Sequence, residues 1–332
     1  MGTSFARGRA VAPIVIGLVL AAWFVWLFAA ALHLPQAHDL PVALVAPDAV
    51  AAQVAAGLEQ QAPGAFAVTT YGSESDARAA IADRDEVGAL VAGANGATIL
   101  VASGASESAA GAVAGAFSAL AGALQLTPTI EDVAPLPAGD PHGTVPFFLV
   151  LGVSLSALIY AILARAVGAT GERPALGRRL VSLLTFAVLD GLVAAGAVGL
   201  VLGFDEGFWL LAGMCAVLAL AVASATAALQ ELAGTAGSGL SALFVVILGV
   251  ACSGAMAGPW FLPDGFRALA PILPPGVALA AVRGTLYFDG AALALPLLAL
   301  ASWAVISLAI VVGVDLRRHR PAGRPMPAPV AG

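Results

Sequence analysis

The 332-residue chain contains no lysine; all 14 basic side chains are arginine. That absence removes every chemistry that needs a primary amine on a side chain, including a P-loop lysine, a Schiff-base lysine and a Ser-Lys dyad. Cysteine is nearly missing as well. Cys215 and Cys252 both fall inside apolar stretches, so neither a disulfide framework nor a zinc site follows from them. Gly-x-Ser-x-Gly and His-Glu-x-x-His are absent too, and with them two common hydrolase signatures. Charge is scarce: 10% of residues are charged against 60% hydrophobic, and the mean hydropathy is +0.97. A soluble globule of this composition would be coated in apolar side chains, so the bilayer is expected to be the solvent.

What the chain does have is six long apolar stretches, at 11–32, 146–167, 180–203, 208–229, 236–257 and 291–314. Each is near the ~20 residues a helix needs to cross a ~30 Å hydrocarbon core. The expected fold class is an α-helical polytopic membrane protein with six transmembrane helices and an extracytoplasmic α/β domain inserted between the first and second. The domains follow: 1–32 as a cytoplasmic start and first span, 33–145 as the inserted domain, 146–314 as a five-span membrane domain, and 315–332 as a basic cytoplasmic tail. The first stretch has the basic start and the small residues Ala29, Ala30 and Ala31 of a secretory signal, but its apolar run is too long for a typical signal core and is expected to stay as a span.

Orientation comes from the arginines, since short segments rich in basic residues stay on the cytoplasmic side. Arg7 and Arg9 precede the first stretch. Arg165, Arg173, Arg178 and Arg179 surround the connection between the second and third, and Arg317, Arg318, Arg320 and Arg324 follow the last. In a six-span chain all three clusters fall on one side, so a multi-pass cell-membrane protein with both termini cytoplasmic is expected. The inserted segment, with twelve acidic residues against Arg78 and Arg84, lies on the other side. Topology explains the basic clusters, and nucleic acid is not an expected partner.

Within the insertion, runs at 42–45, 66–70, 87–91, 98–101 and 129–133 have strand length and recurring Val, Thr and Ile. Helical candidates lie between them at 49–61, 74–83 and 106–124, with Pro47-Asp48 and Ser73-Glu74 as helix starts. Gly93-Ala94-Asn95-Gly96 sits where a hairpin turn would join two strands. The expected order is β-α-β-α-β-β-α-β, one mixed sheet with helices packed against it.

The segment 258–290 is too rich in proline to be one continuous span, yet most of its other residues are apolar. Pro259, Pro263, Pro271, Pro274 and Pro275 remove amide donors. A pair of short helices dipping partly into the membrane fits both facts if the broken backbone is buried against protein or lines a wet cavity. An interfacial loop, with Arg267 and Arg283 reaching lipid headgroups, is the competing expectation. Asp190 lies near the middle of the third stretch, where a charge costs about 2.5 to 3.5 kcal/mol unless it faces the bundle interior or is protonated. It is read either as a substrate-path or proton-linked carboxylate or as a hydrogen-bonding group paired through Ser154, Ser156 or Thr226. Gly191, Gly196, Gly199 and Gly249 are expected to permit close helix packing. His33, His38 and His142 with Asp39 are a weak metal candidate, and no metal or other cofactor is expected.

Several short segments resemble the ABC-2-type transporter permeases, and most closely their YhgE/Pip-related actinobacterial branch. These are Val45-Ala46-Pro47-Asp48, 79–84 leading to Gly88-Ala89-Leu90-Val91, and 132–136 with Gly139-Asp140-Pro141; toward the other end, Ser253-Gly254 through Pro259, Leu262-Pro263, Leu273-Pro274-Pro275-Gly276, Arg283-Gly284 and Tyr287-Phe288. The resemblance implies the membrane-spanning subunit of an exporter of lipophilic or amphipathic compounds, a homodimer with a separate ATPase subunit, since a chain without lysine holds no Walker A motif. It implies that Pro259, Pro263, Pro274, Pro275, Gly276 and Arg283 belong to re-entrant helices near the outer exit, and that Arg165, Arg173, Arg178 and Arg179 form the ATPase-docking loop. The alternative is a receptor or envelope and secretion scaffold that does not transport and binds a partner through the inserted domain.

Overall fold

The computed structural model describes residues 2–33, 35–93, 96–169, 174–203, 207–255 and 257–319. Arg173, Arg320 and Arg324 lie outside the described residues, as do Ala94 and Asn95 of the expected hairpin turn and the side chains of Arg7 and Arg9.

A long helix, α1 (Gly2–Leu32), leads into a small sheet unit. Its elements are β1 (Leu40–Val45), α2 (Asp48–Gln61), β2 (Phe66–Thr70), α3 (Glu74–Ala82), β3 (Gly88–Ala92), β4 (Gly96–Val101), α4 (Glu107–Ala123) and β5 (Thr127–Asp132). The strands form one five-stranded sheet in the order β2-β1-β3-β4-β5, parallel except for the antiparallel β3–β4 pair. Ser73 starts α3 by accepting from the Asp76 amide, and Ser106 starts α4 by accepting from the Ala109 amide, each satisfying a donor that the first helical turn leaves open. The core under the sheet is built from β-branched and aliphatic residues around Phe117, which stacks on Phe66.

Among the described residues, four helices are long and apolar enough to cross a membrane: α5 (Val145–Ala169), α6 (Leu176–Leu202), α7 (Phe208–Ala233) and α12 (Ala294–Arg318). The α7 helix is central, packed against α5, α6 and α12, and small residues such as Ala219, Ala221 and Ala223 are wholly buried along it. The outward faces carry apolar side chains, with Val193 71% and Leu200 90% exposed. Several long apolar helices with such faces fit a membrane-embedded protein.

The stretch expected as one span at 236–257 is a shorter composite. It comprises α8 (Ala236–Leu240), a π-helical segment (Ser241–Ile247) and α9 (Leu248–Cys252), and among the described residues it makes a 17-residue helix. Glycine conformation ends it. Gly254 has φ 67° and Gly258 φ 95°, and a Cβ on Gly254 would stand 2.5 Å from the Pro259 amide nitrogen. The chain then makes a 3₁₀ turn (Pro259–Phe261), α10 (Asp264–Leu269) and α11 (Pro274–Tyr287) before α12. Phe261 and Phe288 join the core of the sheet unit, so that unit rests on this segment at one end of the helical bundle.

Candidate functional site

Four of the five prolines of 259–287 stand where helices begin. Pro263 immediately precedes α10, while Pro274 and Pro275 occupy the first positions of α11, where a missing amide costs no intrahelical bond. Between α10 and α11 the chain reverses at Pro271–Leu273, closely enough that a Cβ on Gly276 would meet the Ala270 carbonyl at 2.4 Å. The Trp303 indole Nε1 donates to the Ile272 carbonyl across 2.7 Å. Trp303 is nine residues beyond Ala294, the first residue of α12, so the tip of the hairpin lies about 14 Å along that helix. The hairpin therefore reaches a little more than a third of the way along α12 and returns. It is buried against α7, α9 and α12.

Arg283 does not reach outward. It is 6% exposed on α11 and donates from Nη2 to the Ala255 carbonyl at 2.9 Å. Arg267 is held at the base of the sheet unit by Asp39 at 2.9 Å and Asp264 at 3.1 Å, and it also donates to the His38 carbonyl. The headgroup-reaching expectation is thus replaced by an internal seam between the hairpin and the sheet unit. Arg84 enters the same seam, donating to the Ala280 carbonyl at 2.7 Å with its guanidinium 5.3 Å from the Phe288 ring centre. Its backbone is left-handed, φ 68°, an uncommon state for a residue with a Cβ. Ser106 Oγ donates to the Ala257 carbonyl, and Tyr287 donates to Asp140.

Inside this seam is a cavity of about 320 Å³, lined by Arg84, Glu86, Arg267 and Arg283 among apolar neighbours. Glu86 is 4% exposed; Tyr71 donates to its Oε1, and its Oε2 has no hydrogen-bond partner among the described residues. Burial raises the Glu86 pKa, and the bond from Tyr71 opposes the rise. Sequence periodicity gave no signal for Arg84 or Glu86, because each becomes interior only when the hairpin covers the end of α3. A second, apolar cavity of about 650 Å³ lies between α7, the π-helical segment, the hairpin tip and α12.

Asp190 is half-buried on α6 and accepts from Ser156 Oγ on α5 at 2.9 Å. Of the three expected partners, Ser156 alone reaches it. Ser154 is buried with no partner for its hydroxyl among the described residues, and Thr226 pairs with Ser241 at 2.7 Å. Gly191 allows the close α6–α7 approach, since a Cβ there would stand 2.3 Å from the Ala212 carbonyl; Gly249 does the same against Pro275 at 2.6 Å. Gly196 faces open space, so the packing role expected for it is not found.

At the far end of the bundle, Glu231 of α7 binds Arg179 of α6 at 2.7 Å and also Arg318 of α12, with Asp315 3.8 Å from Arg179. Arg165 donates to the Gln230 carbonyl at 3.3 Å. Of the four arginines assigned to docking, Arg165 and Arg179 thus tie helices together, and Arg178 is exposed. Among the described residues, no three His, Cys, Asp or Glu side chains are grouped to hold a metal; His33 bonds carbonyls of its own helix, and His142 faces Glu107 at 3.4 Å.

No family model matches the chain, and neither a curated protein nor a solved structure matches it significantly.

Proposed function

We propose that this chain is the membrane-spanning subunit of an ABC-2-type exporter that moves a lipophilic or amphipathic compound outward, with ATP hydrolysed by a separate subunit. The observation that carries this reading is the hairpin of α10 and α11, which reaches more than a third of the way along α12 and carries a cavity, at the end opposite the Arg179–Glu231–Arg318 cluster. An exporter needs a polar opening on one face and a docking surface for its motor on the other. The resemblance of 253–259, 273–276 and 283–288 to ABC-2-type permeases supports the same assignment.

In this reading α1 and the composite helix from α8 to α9 complete a set of six spans. At 31 and 17 residues they are about 46 and 26 Å long, with the composite at the lower limit for crossing. The arginine-rich end is cytoplasmic by the positive-inside rule, both termini lie on that side, and the sheet unit is extracytoplasmic. The protein resides in the cell membrane and works as a homodimer bound to two ATPase subunits. Purifying the tagged full-length chain from its native membranes in mild detergent tests this. An ATPase subunit is expected in equimolar amount, and its complete absence alongside envelope proteins would favour a receptor or scaffold.

A further inference from the structure

The two cavities adjoin, because Pro271 and Ala299 line both. At about 320 and 650 Å³, each is of a size that binds small molecules. Their chemistry differs sharply. The first holds the charged groups of the seam, whereas the second is bounded by Phe244, Ile272, Trp303 and Ile306 along α12. Ile306 is 61% and Phe244 47% exposed on the outward face, so the apolar cavity opens sideways, where hydrocarbon would surround it.

The three guanidiniums of the seam differ in their partners. Arg267 is matched by Asp39 and Asp264. Arg84 and Arg283 have no carboxylate within 4.0 Å among the described residues, and their hydrogen bonds go to the carbonyls of Ala280 and Ala255. Asp140, beyond the end of α11, is already engaged by Tyr287, Thr144 and Val145. Glu86 and Asp140 lie nearby but neither touches these two guanidiniums, so a bound anion would give them the charge-assisted hydrogen bonds that carbonyls do not supply. Glu86 Oε2 is an acceptor without a donor among the described residues, at the wall of the same cavity. The complement of two unmatched guanidiniums, one orphan acceptor and an adjoining apolar groove is an anionic head that also bears a donor, joined to a hydrocarbon tail.

We propose that this double cavity binds a phospholipid-like amphiphile, with its phosphate between Arg84 and Arg283, a headgroup hydroxyl donating to Glu86, and its tail in the groove along α12. Binding rests on the cavities alone; that such an amphiphile is the exported cargo rests on the permease reading. The test is native mass spectrometry of the full-length protein in mild detergent with phosphatidylglycerol, phosphatidylcholine or glycerol phosphate. Phosphatidylglycerol should be retained at one per chain, about tenfold better than phosphatidylcholine, whose head has no donor, and tail-less glycerol phosphate should not be retained. Arg84→Gln and Arg283→Gln should each lower retention about tenfold, and Ile306→Trp, which fills the groove, should lower it similarly. Arg78→Gln, remote from both cavities, should not. Each variant is compared at matched lipid-free melting temperature, and should Arg283→Gln fail to fold, Arg84→Gln and Ile306→Trp decide the matter. Equal retention of phosphatidylcholine, or retention untouched by both of those variants, overturns the site. So does strong retention of glycerol phosphate, which would mark a free-phosphate site, or an Ile306→Trp variant that changes only the oligomeric mass, which would give the groove to a second copy. Retention by a chain that never associates with an ATPase would uphold the site while removing the export reading, and an ATPase complex without retention would do the reverse.

Discussion

The Tyr287 hydroxyl donates to Asp140 Oδ2 across 2.6 Å, joining the last turn of α11 to the residue whose carboxylate accepts the Thr144 and Val145 amides at the start of α5. One side chain thus fixes both the hairpin and the entry of the chain into the bundle. Burial acts against the Asp140 carboxylate, but the bonds from Tyr287, Val145 and Thr144 outweigh it and hold its pKa below the ordinary 3.8. Burial, and then the bond to Asp140, push the Tyr287 hydroxyl well above its usual 10.0, so it remains a donor throughout the physiological range.

The depressed pKa sets a direction for acid sensitivity. The stabilisation from Asp140 is complete above the unfolded value near 3.8 and is lost as pH falls through the lower folded value. Tyr287→Phe removes one of the bonds holding that value down. It is expected to cost about 1.5–3 kcal/mol and to move the acid loss to higher pH. Thermal unfolding of the detergent-solubilised protein from about pH 3 to 7 checks this, and coincident curves for variant and wild type would refute it.

Gly191 and Gly196 occupy the same helix with opposite surroundings. Gly191→Ala places a methyl group against the α7 backbone and is expected to cost about 1–3 kcal/mol, whereas Gly196→Ala is expected to be neutral or slightly stabilising. Melting temperatures measured side by side decide it; equal effects would mean that α6 and α7 are not packed as described.

For Asp190, the bond from Ser156 is the measurable feature. Ser156→Ala is expected to cost about 0.6 kcal/mol, the usual scale for a hydrogen bond between membrane helices, and Asp190→Asn should preserve folding and most activity. A well-folded Asn variant with no activity would instead assign Asp190 to the transport chemistry.

The orientation is tested in a Cys-free background. A cysteine at Ser75, exposed on α3, should label from outside intact cells, and one at Arg178, exposed at the start of α6, should not. The reverse pattern would turn the molecule over in the membrane.

Much of the fold was legible because period and punctuation agreed. The order of strands and helices in the sheet unit follows the runs of Val, Ile and Thr, and Ser73 caps α3 where the sequence suggests. Proline positions gave the hairpin its two short helices. The 236–257 stretch ends earlier than its apolar run, at Cys252, because the backbone turns at Gly254, whose positive φ hydropathy alone does not reveal. Asp190 was visible as a lone charge, but which of three hydroxyls met it depended on helix rotation. Arg84, Glu86 and the burial of Arg283 were not legible, since they become a site only through contacts spanning nearly 200 residues of chain, such as the bond from Arg84 to the Ala280 carbonyl.

The proposed motor partner can be examined at the exposed face of the arginine-rich end. Arg165 and Arg179 already brace the bundle, which leaves Arg178, with Arg173 from outside the described residues, as the charge to reverse. The deciding measurement is vanadate-sensitive ATP hydrolysis by the complex purified from native membranes through the tagged chain, in wild type and in an Arg173→Glu, Arg178→Glu double variant. The account expects hydrolysis to co-purify with the wild type and to vanish from the variant, while the variant still inserts and elutes as an intact membrane protein. A wild-type chain that purifies without any ATPase, yet still supports outward movement of substrate in cells, would contradict it.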